Sequence, residues 1–418
     1  MPFTEKSGAW RFAPSPPHSP MLGCSRCAKS GRAAATATAR IRRIQTPLAE
    51  FTAPQIYGSP PEGTLYAANW RICTRTIGQR GMERFGVALV GTGHVAQTVH
   101  LPLLKRLPQV EVVALYDRNL SKARMVAERF SVPYVAERLE ELWSLEGVQI
   151  VDVCTTTDSH PEIAIAALEH GKHVFVEKPL ARSVAEAEEV ARAVARTGKH
   201  LMVGMNHRFR PDATLLKSYV VRGELGTIYY IKAGWLQPRQ REQRWLTRAD
   251  ISGGGVLMDL GILLLDLTLW MYDFAAVRSV HAAMFRHQTR VVEDLVIATL
   301  YFSSGSVATL ECSWSLMRPE DLYYCNIFGT KGSGYLNPFR VVKHSDGEFV
   351  SITAERRTSP LQQYTRSYEL EWQYFLNTVR GVVPPVSTAE EAVHRMRIVE
   401  ALYRSAQERQ EVVLEASG

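Results

Sequence analysis

The sequence predicts an α/β protein whose first folded half is a doubly wound parallel sheet. Three observations carry this. Short apolar runs alternate with helical stretches between residues 85 and 204, the pattern of strands joined by crossover helices. The first run, FGVALV (85–90), leads straight into GTGHVAQ, a glycine turn that opens a helix. The second run, VEVVALYD (110–117), ends in an acid. After about residue 205 the alternation gives way to clustered strand patterns, so a second domain follows.

The elements can be taken in order. Residues 1–82 read as an extension, disordered or non-native: SPPHSP, AAATATAR and GSPPEG are rich in Ala, Ser, Thr, Pro and Arg and lack a hydrophobic period. Arg-rich and acid-poor, the segment also has a transit-like composition. Met82 stands just before the first clean strand. The net charge of +7 is located here: residues 1–84 hold twelve Lys+Arg against four Asp+Glu, leaving 37 against 38 for the rest. The body therefore gives no electrostatic case for nucleic acid. The Cys24–Cys27 pair lacks the second pair or histidines of a zinc set. Cys73, Cys154, Cys312 and Cys325 read as reduced thiols, three of them core, in a cytoplasmic protein. The apolar stretch 256–270 is too short for a spanning helix and carries two acids, so no membrane partner is expected.

The glycine turn has G-x-G-x-x-A spacing at Gly91, Gly93 and Ala96, with His94 and Val95 at the start of a helix expected over about 94–107. The first glycine makes the turn, the second admits a pyrophosphate, and the small third residue packs helix on strand. The helix start offers N–H groups and a positive dipole end to phosphate. Asp117, 26 residues after Gly91, stands where a carboxylate accepts from ribose hydroxyls and repels a 2′-phosphate. That favours NAD, while Arg118 keeps NADP open. Together these define a Rossmann domain over 83–205. Further helices are expected at 120–129, 137–145, 160–170 and 183–197, and strands at 149–154, 173–176 and 200–204. In CTTTDSH (154–160), Thr155 and Thr157 are candidates for the nicotinamide half, and Asp158 or Ser159 for capping the next helix.

Glu177, Lys178 and Pro179 follow a strand end at the carboxyl edge, where such sheets bind ligands. Pro179 is a candidate cis proline. Lys178 offers a positive charge to a developing alkoxide, with burial able to bring its pKa into working range. These motifs, with TTTDSHPEIAIAALEHGKHVFVEKPLA, VGMNHRFRP, GELGTI and GGGVLMDLGILLLDLTLW, resemble the glucose–fructose oxidoreductase / inositol dehydrogenase / rhizopine-catabolism (Gfo/Idh/MocA) family over about residues 84–415. The resemblance implies a Rossmann domain plus a C-terminal α/β domain (206–418) with a large, mostly antiparallel sheet, often used for homodimer or homotetramer contacts. It implies NAD or NADP as cofactor and a small polar substrate. It maps the catalytic lysine onto Lys178, and Arg208 onto a substrate position. His160 matches a family histidine, architectural or near the nicotinamide, and Glu177 joins the cofactor set.

In the second half, strands are expected at 227–238 and in RSVHAAMFRH, EDLVIATLYFSS, GSVATLECSWSL and DLYYCNIFGT, with helices at 365–380 and 388–408. The stretch SGGGVLMDLGILLLDLTLW (252–270) raises its own question, because a buried carboxylate needs partners. The family pattern here carries an Asp and a His four apart. Asp259 matches the Asp and is expected in the site. Leu263 stands at the His position, and leucine cannot transfer a proton. Asp266, a turn further along that face, is expected to be structural. Lys178, held by Asp259 or a substrate hydroxyl, is the first substitute acceptor, His207 the second and a water chain the third. Trp235 and Trp245 are candidates to stack on a sugar ring, with packing as the competing reading; Arg244 is a candidate for a polar substrate.

The sequence thus points to an NAD(P)-dependent oxidoreductase acting on the CH–OH group of a sugar, cyclitol or related compound. The alternatives are an NAD-dependent glycosidase or epimerase using transient oxidation, and a non-catalytic nucleotide-binding sensor, which Leu263 favours. No metal site is expected.

Overall fold

The computed structural model describes residues 41–47, 84–238, 245–345, 347–355 and 359–414. The first of these stretches, β1 (Ile41–Pro47), is a strand inside the segment expected to be an unstructured or non-native extension. Strand β2 (Phe85–Val90) is buried along almost its whole length, as a central parallel strand must be. The chain then turns through a π-type segment, Ala96–His100, into α1 (Leu101–Leu104), ending short of the expected residue 107. β3 (Val110–Tyr116) follows. Next comes α2 (Leu120–Phe130), whose first turn is capped by Asn119 accepting from the Lys122 N–H at 3.0 Å.

β4 (Tyr134–Val135), β5 (Ile150–Val153), α3 (His160–Glu169), β6 (His173–Val176), α4 (Val184–Thr197) and β7 (Leu201–Val203) complete the alternation. Ser183 caps α4, accepting from the Glu186 N–H at 3.3 Å, and Gly198 ends it in the left-handed region. The six strands lie in the order β4-β3-β2-β5-β6-β7, all parallel. The order reverses between β2 and β5, which opens the crevice where such sheets bind dinucleotides.

Beyond β7 come α5 (Pro211–Val221) and the long strand β8 (Ile228–Pro238). The stretch Ala249–Met271 then comprises a short helical turn, Ala249–Ser252, ending at Gly253 with φ +79°, a π-type segment, Leu257–Gly261, and α6 (Ile262–Met271). This stretch is long and apolar enough to cross a membrane by length and composition, which counting only 256–270 did not anticipate. It is 94 % buried in its most apolar part, so it is a core helix. Strands β9 (Val277–Phe285), β10 (Leu295–Phe302), β11 (Val307–Leu316), β12 (Leu322–Gly329), β13 (Gly332–Leu336), β14 (Arg340–Ser345) and β15 (Glu348–Glu355) follow. Helices α7 (Pro360–Val379) and α8 (Ala389–Glu408) and the short β16 (Val412–Val413) close the chain. The second sheet has ten strands in the order β1-β15-β14-β13-β12-β8-β11-β10-β9-β16, antiparallel except at β1/β15 and β8/β11. β1 lies along β15, an edge that would otherwise present unpaired backbone groups.

Helix α7 opens on a capping box between Ser359 and Gln362. It belongs to the second half of the sequence, yet it packs on the first sheet: the Trp372 ring stacks on Phe175 of β6 at 4.4 Å, with Phe375 edge-on to both. Cys154, Cys312 and Cys325 are buried free thiols. Cys24, Cys27, Cys73, Met82 and Arg244 lie outside the described residues.

Candidate active site

The turn after β2 is built around Gly91. Its φ is +93°, and a Cβ there would stand 2.8 Å from the Cys154 carbonyl and from Thr155 Cγ2. Only glycine suits both the dihedral and the gap. Gly91→Ala is expected to cost about 1–3 kcal/mol of stability and to weaken dinucleotide binding; thermal unfolding and an NADH fluorescence titration read the two effects. Gly93 differs: a Cβ there would meet only the Cys154 carbonyl oxygen, at 3.8 Å. The space in front of it is an open cradle, which fits a pyrophosphate approaching the backbone. His94 is exposed at the helix start, Val95 is half-buried and Ala96 is buried against the strand.

Asp117 closes β3. Its Oδ2 accepts from the Thr92 N–H and Oγ1, both at 2.8 Å, and its Oδ1 from the Asn119 N–H at 2.9 Å. Burial opposes the charge, but these donors and Lys122 hold the carboxyl below its usual range. A fixed carboxylate thus ends β3, where ribose binding was expected, with Arg118 exposed beside it. Asp117→Ser is expected to shift the ratio of kcat/KM for NAD over NADP by roughly tenfold toward NADP, the effect of about 1.4 kcal/mol of lost repulsion.

Across the switch point, Thr155 is half-buried and accepts from Ser159 Oγ at 2.8 Å, while Thr157 is fully buried. Neither Asp158 nor Ser159 caps α3 with its side chain. His160 is buried, with Nδ1 2.8 Å from the Pro179 carbonyl oxygen and Nε2 3.2 Å from that of Thr155. Burial lowers its pKa, so a neutral imidazole ties α3 to the Glu177–Pro179 loop. The Lys178–Pro179 peptide bond is cis.

Glu177, expected in the cofactor set, is 6 % exposed, and its Oε1 meets His100 Nε2 at 2.9 Å. His100 Nδ1 in turn meets Asp152 Oδ2 at 2.9 Å. Burial opposes charge on the imidazole, but Asp152 outweighs it and holds the His100 pKa well above its usual value. An imidazolium clasped by two carboxylates therefore underlies the loop that carries Lys178. Sequence reasoning missed this trio, whose members lie 52 and 77 residues apart.

Lys178 and Asp259 meet as expected. Lys178 Nζ lies 2.6 Å from Asp259 Oδ1 and 2.9 Å from the Asp259 carbonyl oxygen. Asp259 Oδ2 accepts from Trp314 Nε1 at 3.2 Å. Burial works to lower the lysine pKa, but the carboxylate outweighs it and holds Lys178 above its usual value. The expectation of a lysine tuned down to accept protons is thereby corrected: the pair keeps Lys178 a cation. The glycines before Asp259 have a partner too. The Gly255 and Leu257 N–H groups donate to the Glu293 carboxylate at 3.0 Å, and a Cβ on Gly255 would stand 2.0 Å from the Glu293 carbonyl oxygen.

The pair lies in the wall of a cavity of about 680 Å³ that Leu263 also lines, with Trp235, Trp314, Tyr364 and Gln237 around it. Three expectations fail here. Arg208 does not reach the cavity: it is 3 % exposed, bonded to Asp266 Oδ2 at 2.7 Å and Oδ1 at 2.5 Å, and to Glu391 at 2.5 Å. Arg395 Nη1 meets the same Asp266 oxygen at 2.7 Å. Asp266 is structural, as read, but does not share the Asp259 face; the π-type segment between them alters the helical phase. Trp245 is half-buried, and its neighbours Leu246 and Thr247 line the cavity in its place. Tyr364 and Tyr368 were not foreseen. Their four-residue spacing puts them on one face of α7, but nothing local announces that this face returns to the first domain.

A glycine turn with dinucleotide spacing, a fixed carboxylate at the end of the next strand and a lysine–aspartate pair in the wall of a polar, aromatic cavity are the features of a nicotinamide-dependent oxidoreductase. The comparisons with known proteins agree. Residues 85–205 match the oxidoreductase-family model with an NAD-binding Rossmann fold, and residues 217–414 match its C-terminal alpha/beta domain. The chain belongs to the Gfo/Idh/MocA oxidoreductase family. It is 31 % identical over 339 residues to the D-glucoside 3-dehydrogenase of Escherichia coli K12, a match spanning 77 % of this chain and 95 % of that protein. The scyllo-inositol 2-dehydrogenase (NADP(+)) IolW of Bacillus subtilis 168 is 24 % identical, over 81 % of this chain and 98 % of that one. Among solved structures, GenD2 from gentamicin A biosynthesis in complex with NAD aligns with a TM-score of 0.71 and 26 % identity, covering 81 % of this chain and 99 % of that one.

Proposed function

We propose that the chain oxidises a secondary hydroxyl of a glucoside, cyclitol or related polyol with NAD as acceptor. The observation that carries this reading is the Lys178–Asp259 pair in the cavity wall, with the dinucleotide turn on the same carboxyl edge of the sheet. Gly91, Gly93 and the start of the following helix would hold the pyrophosphate, and Asp117 the adenosine ribose. When bound, the cofactor supplies the hydride acceptor.

The chain's own residues do the rest. Lys178, kept protonated by Asp259, donates to the substrate oxygen and stabilises negative charge growing there as the C–H bond breaks. Asp259 fixes where that cation points. Trp314 holds Asp259 from the other side, so the pair enters the reaction already oriented. Trp235 and Tyr364 supply flat apolar faces, and Gln237 an amide, suited to a ring edged with hydroxyls. Glucosides lead the candidate substrates because the E. coli relative is named for one.

The test is single-turnover absorbance of reduced nicotinamide, with NAD or NADP and a panel of methyl glucosides, levoglucosan, free sugars and inositols. Reduction of NAD by at least one member is expected. A protein that binds NADH tightly yet stays silent on the whole panel overturns the reading in favour of a sensor.

A further inference from the structure

A hydroxyl that loses hydride must also lose its proton, and the cavity wall narrows where that proton goes. Six titratable side chains line the cavity among the described residues. Lys178 is held protonated by Asp259. Asp259 is engaged on both oxygens, by Lys178 and by Trp314. Asp294 accepts from the N–H groups of His287, Gln288 and Thr289, which hold it low against the burial that would raise it. Tyr364 and Tyr368 have their hydroxyls 3.3 Å apart, and burial pushes both pKa values up, so they are donors. Position 263 is a leucine.

His207 is the sixth. It sits on the short turn Asn206–Phe209 that follows β7 and is 4 % exposed. The Trp235 ring lies over it at 5.1 Å, and the Tyr323 ring meets it edge-on at 5.3 Å, which fixes the plane of the imidazole. Its Nδ1 is 3.5 Å from Tyr323 Oη. Among the described residues Nε2 has no hydrogen-bond partner, although the side chain lines the cavity. Burial, and then the cations Arg210 and Lys178, hold its pKa well below the usual imidazole value, so the ring rests unprotonated and an imidazolium there is a transient species.

We propose that His207 is the proton acceptor of this enzyme, taking the place of the family histidine that Leu263 has displaced. The proposal rests on the dehydrogenase reading. In the oxidation direction the substrate O–H bond breaks and its proton passes to His207 Nε2. The electron pair of that bond forms the second bond of the carbonyl, as the C–H hydrogen leaves with its own pair to the nicotinamide. The working tautomer keeps its proton on Nδ1, donated to Tyr323 Oη, and presents the Nε2 lone pair to the hydroxyl. Lys178 favours the transfer because a cation at the same oxygen makes the hydroxyl more acidic.

The test uses the full chain and a substrate on which the wild type reduces NAD. His207→Ala is expected to lose about 10²–10⁴-fold in kcat, with KM and the NADH dissociation constant changed by no more than a few-fold. Added imidazole is expected to restore part of that loss, and so is Leu263→His placed in the same background. His207→Gln, close to histidine in volume, should show the same kcat loss and covers the case in which the alanine variant folds poorly. A His207 variant that turns over at the wild-type rate overturns the acceptor alone. So does a loss of turnover that neither imidazole nor Leu263→His restores, which assigns His207 to structure. A wild type that is silent on every substrate overturns the dehydrogenase reading and the acceptor with it.

Discussion

Lys178→Met is expected to cut kcat by about 10²–10³-fold while leaving the NADH dissociation constant within a few-fold of wild type. Methionine keeps the reach and much of the volume of lysine but cannot donate or carry charge. Among the described residues lining the cavity, Lys178 is the one lysine or arginine, so no other of these side chains can supply its charge. Asp259 would then face the cavity with Trp314 as its remaining side-chain donor, and a carboxylate placed close to an oxygen developing negative charge opposes the reaction. Lys178→Arg is not expected to restore the rate, since a planar fork cannot take the place of a compact ammonium held at 2.6 Å. Steady-state kinetics on the best substrate, with fluorescence titration of NADH, read both quantities. A methionine variant with wild-type kcat would show that charge on this side chain does nothing for the reaction.

The second large effect concerns stability. Asp266 is fully buried between two arginines: Arg208 grips both of its oxygens and Arg395 shares one of them. Glu391 supplies the other negative charge, at 2.5 Å from Arg208 and 3.5 Å from Arg395. Asp266→Leu would fit the apolar helix by composition, yet it leaves two buried guanidinium groups sharing a single carboxylate. Breaking a buried pair by removing one partner costs about 3–5 kcal/mol, because the charge left behind has lost its solvent and its counterion together. Urea unfolding of the purified chain should show the midpoint falling accordingly. The quadruple change Asp266→Leu, Arg208→Met, Arg395→Met, Glu391→Gln, which removes the stranded charges together with the carboxylate they shared, should recover much of the loss. An unchanged midpoint in the single variant would mean that the network carries no net stability.

Local pattern gave away much of this architecture. The strand at 173–176 and the helices at 183–197 and 388–408 follow from their periodicity, and the glycine turn and Asp117 follow from spacing within one strand–turn–helix–strand unit. Motifs alone brought out Lys178, Asp259 and Leu263, which line the same cavity. What escaped was set by partners distant in the chain. Arg208 looks like a substrate arginine until Asp266 and Glu391, 58 and 183 residues on, are seen to hold it. Glu177 looks outward until His100 is placed behind it. The lysine pKa depends on a carboxylate 81 residues away, whose pull exceeds the burial penalty. Strands β13 to β15 escaped because GSGYL and its neighbours lack a long apolar run, and their pairing comes from the growing sheet.

The docking of α7 on the first sheet has a consequence for modular exchange. A gene fragment ending near residue 205 would encode every strand of the dinucleotide half, yet it would leave Phe175 without the indole of Trp372 and the ring of Phe375. Such a fragment would expose an aromatic patch to solvent and invite self-association. Swapping cofactor halves between relatives therefore means carrying α7 along. Because Tyr364 and Tyr368 on that same helix line the cavity, any graft that changes coenzyme handling also edits the cavity wall.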